Sequence, residues 1–134
     1  MTSAQHQRDI TIQQLKDSER VVFTVSVTNG QLLIGTMKGR ELYVYRAIDG
    51  IHVTTLTLFH GDKLWDAQWT PRGHIVYSTT VDSSHRVVVM SRFGKVIAQT
   101  QMAHPRYLSV STDNVICLAD WKSGVHQSTD DGVT

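Results

Sequence analysis

Seven histidines, at positions 6, 52, 60, 74, 85, 104 and 126, are the residues of this chain best suited to ligate a metal or move a proton. Zinc sites draw their ligands from close spacings, such as two histidines one helical turn apart. No such pair occurs, so neither a metal nor a cofactor is expected. His60, His85 and His104 fall in loops that the strand pattern places on one rim, where folding could still bring them together. A serine nucleophile would call for a sharp turn of the form G-x-S-x-G, and this is absent, as is a phosphate-cradling glycine-rich loop. No pair of carboxylates is singled out for glycoside hydrolysis. The one cysteine, Cys117, lies in the apolar run VICLA and reads as a small buried thiol. Enzyme chemistry is therefore not expected, and what remains suits recognition.

The recognition candidates are basic and aromatic residues in predicted loops: Lys38, Arg40, Lys63, His85, Arg106, Trp121 and Lys122. Asp17, Glu19, Asp62, Asp82 and Asp120 stand against them, so the local signs nearly cancel. A balanced, mixed surface fits a protein or peptide better than a phosphate backbone, and Trp121 is the natural contact anchor. A glycan is the alternative ligand, stacked on Trp121 beside Asp and Asn groups. Overall, 13 basic and 12 acidic residues leave a formal charge of +1, which disfavours a polyanionic partner. No signal-length apolar stretch opens the chain, and no run of about 18 apolar residues occurs anywhere. The expectation is a soluble, cytoplasmic protein.

Positioning these loops falls to short strands. Alternation and β-branched content mark twelve of them, at 10–16, 21–27, 31–36, 41–46, 51–58, 64–69, 74–79, 86–91, 95–101, 106–110, 114–119 and 124–128, with no convincing helical period. They repeat. Val27-Thr28, Trp69-Thr70 and Val110-Ser111 each end an apolar strand; 42 positions separate Val27 from Trp69, and 41 separate Trp69 from Val110. A period near 40 built of short strands is the signature of β-propeller blades, which cannot cover their two faces alone and stack around an axis. The predicted fold is all-β, a single unit over 1–134 with blades at 21–58, 64–101 and 106–134. The third blade lacks its own outer strand. Segment 10–16 is the candidate to supply one, because propellers commonly close by completing one terminal blade with the other terminus. Three blades do not readily close a ring, so a homodimer of six blades with exchanged N-terminal strands is expected. A piece of a larger propeller is the alternative.

The residues Ser128, Asp130 and Gly132, within STDDGVT, resemble the Asp-box pattern S-x-D-x-G-x-T-W of sialidase-like propellers. That resemblance implies a structural turn between the third and fourth strands of a blade. The corresponding turns AIDG (47–50) and SRFG (91–94) also carry Gly where the chain reverses. Together the strand order and Gly-containing turns over about Phe23 to Thr134 are similar to NHL-type six-bladed propellers, although repeated Asp-x-x-Asn elements are missing. Trp65-Asp66 stands at the start of an inner strand, which is the wrong place for a WD-type repeat.

Overall fold

The computed structural model describes residues 22–36, 40–58, 63–81 and 84–129. Eleven strands follow one another there, each antiparallel to the next within its sheet. The first sheet is β1 (Val22–Thr28), β2 (Gln31–Thr36), β3 (Glu41–Arg46) and β4 (His52–Thr57). The second is β5 (Lys63–Trp69), β6 (Ile75–Val81), β7 (Ser84–Met90) and β8 (Val96–Gln101). The third has β9 (Pro105–Val110), β10 (Ile116–Asp120) and β11 (Gly124–Ser128). Every strand expected from 21 onward is present to within about two residues; the expected strand at 10–16 lies outside the described residues. No helix of the described residues is long and apolar enough to cross a membrane.

The first strand of each sheet lies beside that of the next, β1 against β5 and β5 against β9. Their ends enclose a hollow of about 390 Å³ lined by Val27, Thr28, Trp69, Thr70, Val110 and Ser111. These are the residues that mark the sequence repeat, so the period of 41 to 42 positions is the step from one sheet to its neighbour. Turn chemistry follows the same logic. Asn29 and Gly30 both have positive φ (48° and 75°), the requirement of a two-residue hairpin whose twist matches its strands. Gly50 and Gly94 reverse the chain between the third and fourth strands of the first two sheets, at φ 72° and 91°.

Between the first and second sheets, Leu33, Leu42, Val44 and Leu56 pack on Leu64, Trp69, Ile75, Tyr77, Val88 and Met90. Each such side chain contributes about 2 kcal/mol by leaving water. Val76 and Val89 on the opposite face of the second sheet meet Leu108, Ile116 and Leu118. With three strands, the third sheet covers less of its neighbour, and a hollow of about 210 Å³ remains beside His126 to Ser128 of β11.

Side chains also tie sheet to sheet through backbone groups. Ser26 Oγ accepts the Trp69 N–H at 3.0 Å, Asp66 Oδ2 accepts the Leu108 N–H at 2.9 Å, and Ser78 Oγ donates to the Arg106 carbonyl at 2.7 Å. Asp66 and Ser78 are buried, so each bond satisfies a group that would otherwise be stranded away from water.

One expectation is corrected here, and one open pairing is decided. Cys117 is half-buried rather than core, because it lies on the outward face of the third sheet, which no other described sheet covers. Regular alternation would have put Trp65 and Trp69 on one face of β5. A register shift between Leu64 and Asp66 breaks it, so Trp69 enters the core while Trp65 turns to the rim.

Candidate recognition site on the rim

One end of the second and third sheets carries a continuous cluster of rings and cations. Its base is Arg106, on β9. The sequence placed this residue among exposed rim charges, but it is only 8% exposed. Its guanidinium lies over the Trp65 ring at 4.0 Å and the Trp121 ring at 4.9 Å, contacts worth on the order of 1 kcal/mol each. Its Nη1 donates to the Pro105 carbonyl at 2.8 Å, and Nη2 meets His104 Nε2 at 3.0 Å. Burial draws the Arg106 pKa below its ordinary value, against the opposing pull of Tyr107 and Asp120.

Arginine has no acceptor to offer, so His104 Nε2 must accept and the imidazole is neutral with its proton on Nδ1. That Nδ1 is buried without a partner. Desolvation, then the charges of Arg106, His85 and Lys122, hold the His104 pKa below the usual histidine value, consistent with that tautomer. The ring packs edge-on against His85 at 5.2 Å and against Trp121 at 5.6 Å. His85 is fixed in turn by Thr80, whose hydroxyl meets His85 Nδ1 at 2.7 Å and also accepts the Trp65 indole N–H at 2.7 Å.

Asp120 organises the loop that carries Trp121. Its Oδ1 accepts the Lys122 and Ser123 N–H groups, and its Oδ2 accepts the His104 N–H, all at 2.9 Å. Burial alone would raise the Asp120 pKa; these bonds, with one from the Ser123 side chain, outweigh it and hold the carboxyl well below the usual range. Asp120 is thus a buried turn organiser, not the surface counter-charge its sequence position suggested. The result is an exposed pair of rings, Trp121 (62% exposed) and Tyr107 (50% exposed), 6.5 Å apart, with Arg106 and His104 packed against the Trp121 member.

Of the candidates named from sequence, His85, Arg106, Trp121 and Lys122 come together here. Arg40 and Lys63 are exposed on the same rim; Lys63 pairs across the strand with Thr80, and the Arg40 carbonyl accepts the Leu58 N–H at 2.8 Å. Lys38 lies outside the described residues, as do His60, Asp17, Glu19, Asp62 and Asp82. Ser128 ends β11, while Asp130 and Gly132 also lie outside. Trp65, Thr80 and Tyr107 were missed as site residues. Only the shared rim of the loops at 85 and 104 hinted at part of the cluster. Among the described residues, no group of three or more His, Cys, Asp or Glu is placed to hold a metal ion. The arrangement offers flat apolar faces, a buried cation beneath them and an exposed lysine beside them, which is the equipment of binding.

No family model and no curated relative matches the chain. Among solved structures it is similar to a Bacteroides caccae protein of unknown function, at 15% identity and a TM-score of 0.58, covering 86% of this chain and 44% of that one. It is also similar to the Myxococcus xanthus glutaminyl cyclase, at 13% identity and a TM-score of 0.60, covering 86% of this chain and 50% of that one. The chain thus spans about half the length of the structures it matches. Likeness at such identity speaks for the fold alone: the architecture is all-β and propeller-like, built from antiparallel sheets of three or four strands.

Proposed function

We propose that this chain is a non-enzymatic propeller module that binds a protein or peptide on the rim formed by His104, Arg106, Tyr107, Trp121 and Lys122. The observation that carries the reading is Trp121, a large ring 62% exposed to water yet packed against a buried guanidinium and an imidazole, with the half-exposed Tyr107 ring 6.5 Å away. Rigid aromatic anchors lose little freedom on binding, which is why they concentrate interaction energy at interfaces. The same exposed Trp121 face favours a glycan as the second reading, since an indole plane is what a sugar ring stacks against. A glycosidase-type enzyme is the third and least supported.

The same proposal includes self-assembly: two copies forming a six-bladed, NHL-like ring, with segment 10–16 of each completing the third sheet of the other. Support comes from β11, an edge strand among the described residues. Binding and assembly are tested together. Peptides selected on the full-length chain from a displayed library should lose affinity by tenfold or more in Trp121→Ala, while a glycan array stays blank. Saturable sugar binding lost in that variant would replace the peptide with a glycan. In the same preparation, sedimentation should give twice the chain mass, and a strictly monomeric, well-folded chain would remove the ring.

A further inference from the structure

At the other rim, a groove of about 340 Å³ opens between the first and second sheets. Its walls are apolar: Val44, Val53, Leu56 and Trp69, with Phe93 at the mouth. Phe93 is 80% exposed at the tip of the 91–95 turn, and the Arg92 guanidinium lies 5.1 Å from its ring centre. Beyond that turn a second hollow of about 320 Å³ is lined by Arg72, His74, Ser91 and the same Arg92 and Phe93. An apolar hollow and a basic one therefore share a single ridge.

The charge lining the two hollows is of one sign. Arg72, Arg92 and Lys95 are exposed and make no ion pair among the described residues. Of the acids in neighbouring turns, Asp49 is paired with Arg46, while Asp113 keeps its charge but lines neither hollow. At the edge of the apolar hollow stand Gln31 and Thr54, an amide and a hydroxyl whose side chains hold no hydrogen bond among the described residues. They offer a donor and an acceptor where a main chain would pass.

We propose that this groove binds a peptide segment in which a large aliphatic residue precedes an acidic one. The aliphatic side chain fills the hollow over Val44, Leu56 and Trp69, and the carboxylate crosses the Phe93 ridge to Arg92 and Arg72. A volume of 340 Å³ lies at the small end of ligand pockets, enough for one large side chain rather than a whole compact ligand. Gln31 and Thr54 favour a peptide over a free apolar acid, which has no backbone amide for them to meet. The site is separate from the Trp121 rim and does not rest on it.

The test is fluorescence polarisation of the full-length chain with two labelled peptides, alike except that Leu-Asp in one is Leu-Lys in the other. The Leu-Asp peptide should bind saturably and at least tenfold more tightly than its partner. Arg92→Glu and Phe93→Ala, both at exposed positions and so expected to leave the melting temperature unchanged, should each weaken it by about tenfold. Trp121→Ala should leave it unaltered, which separates this site from the other rim. Equal binding of the two peptides, insensitivity to Arg92→Glu, or tighter binding of free decanoate than of the peptide would each overturn the proposal.

Discussion

The outward faces of the first and third sheets carry similar residues and end in opposite states. On the first, Ile34, Tyr43 and Tyr45 are buried, and cross-strand pairs place Leu32 beside Tyr45 and Ile34 beside Tyr43. On the third, Ala119 pairs with both Tyr107 and Val125, so the three share one face, yet Tyr107 and Val125 are 50% and 78% exposed. No other described sheet packs on either face. The lesson is that one strand pattern can yield a face that stabilises the fold and a face that does not: Tyr43 and Tyr45 are withdrawn from water, whereas Tyr107 and Val125 leave much of their surface in it.

Tyrosine truncations give the largest contrast. Tyr45→Ala should cost about 3 kcal/mol in urea unfolding, as expected for an aromatic only 2% exposed. Tyr107→Ala should stay within about 0.5 kcal/mol under dilute conditions. Equal costs at the two positions would mean that the third face is covered in solution, and the contrast would be gone. Next in size is Asp120→Ala, which strands three buried or half-buried N–H groups and should cost about 2 kcal/mol. Because the folded Asp120 pKa is depressed, its contribution is complete above the unfolded value near ~3.9 and is lost as pH falls through that value towards the folded one. Asp120→Asn should flatten this acid limb, and an unchanged limb would show that the carboxylate does not hold the loop. Smallest in stability is Val125→Lys, expected within about 0.5 kcal/mol at so exposed a site. Its effect should appear in mass instead, as loss of self-association; a dimer that survives the charge would place the seam elsewhere.

Much of the scaffold was legible in the chain. Strands such as QLLIGT and ELYVYR announce themselves by composition, and the recurrence of Val27, Trp69 and Val110 marks the step from sheet to sheet, with the three residues lining one hollow. The site was legible only in part. Arg106 and Trp121 could be named from their loops, and Trp65 stands one repeat of 41 positions before Arg106, but the bulge that turns Trp65 out to meet it leaves no mark in the sequence. Asp120 was misjudged for a related reason. A carboxylate before a turn looks the same in sequence whether it faces water or turns inward to collect backbone N–H groups.

The bonds from Ser26, Asp66 and Ser78 bear on how the molecule comes apart. Repeat arrays held only by apolar contact tend to peel from an end, one unit at a time. Here the Asp66 carboxylate accepts from Ala67 in its own unit and from Leu108 in the next, so freeing the last unit gives up a hydrogen bond to a charged acceptor as well as apolar contact. Loss of a terminal unit thereby costs more than its buried area, which favours the three described sheets melting together.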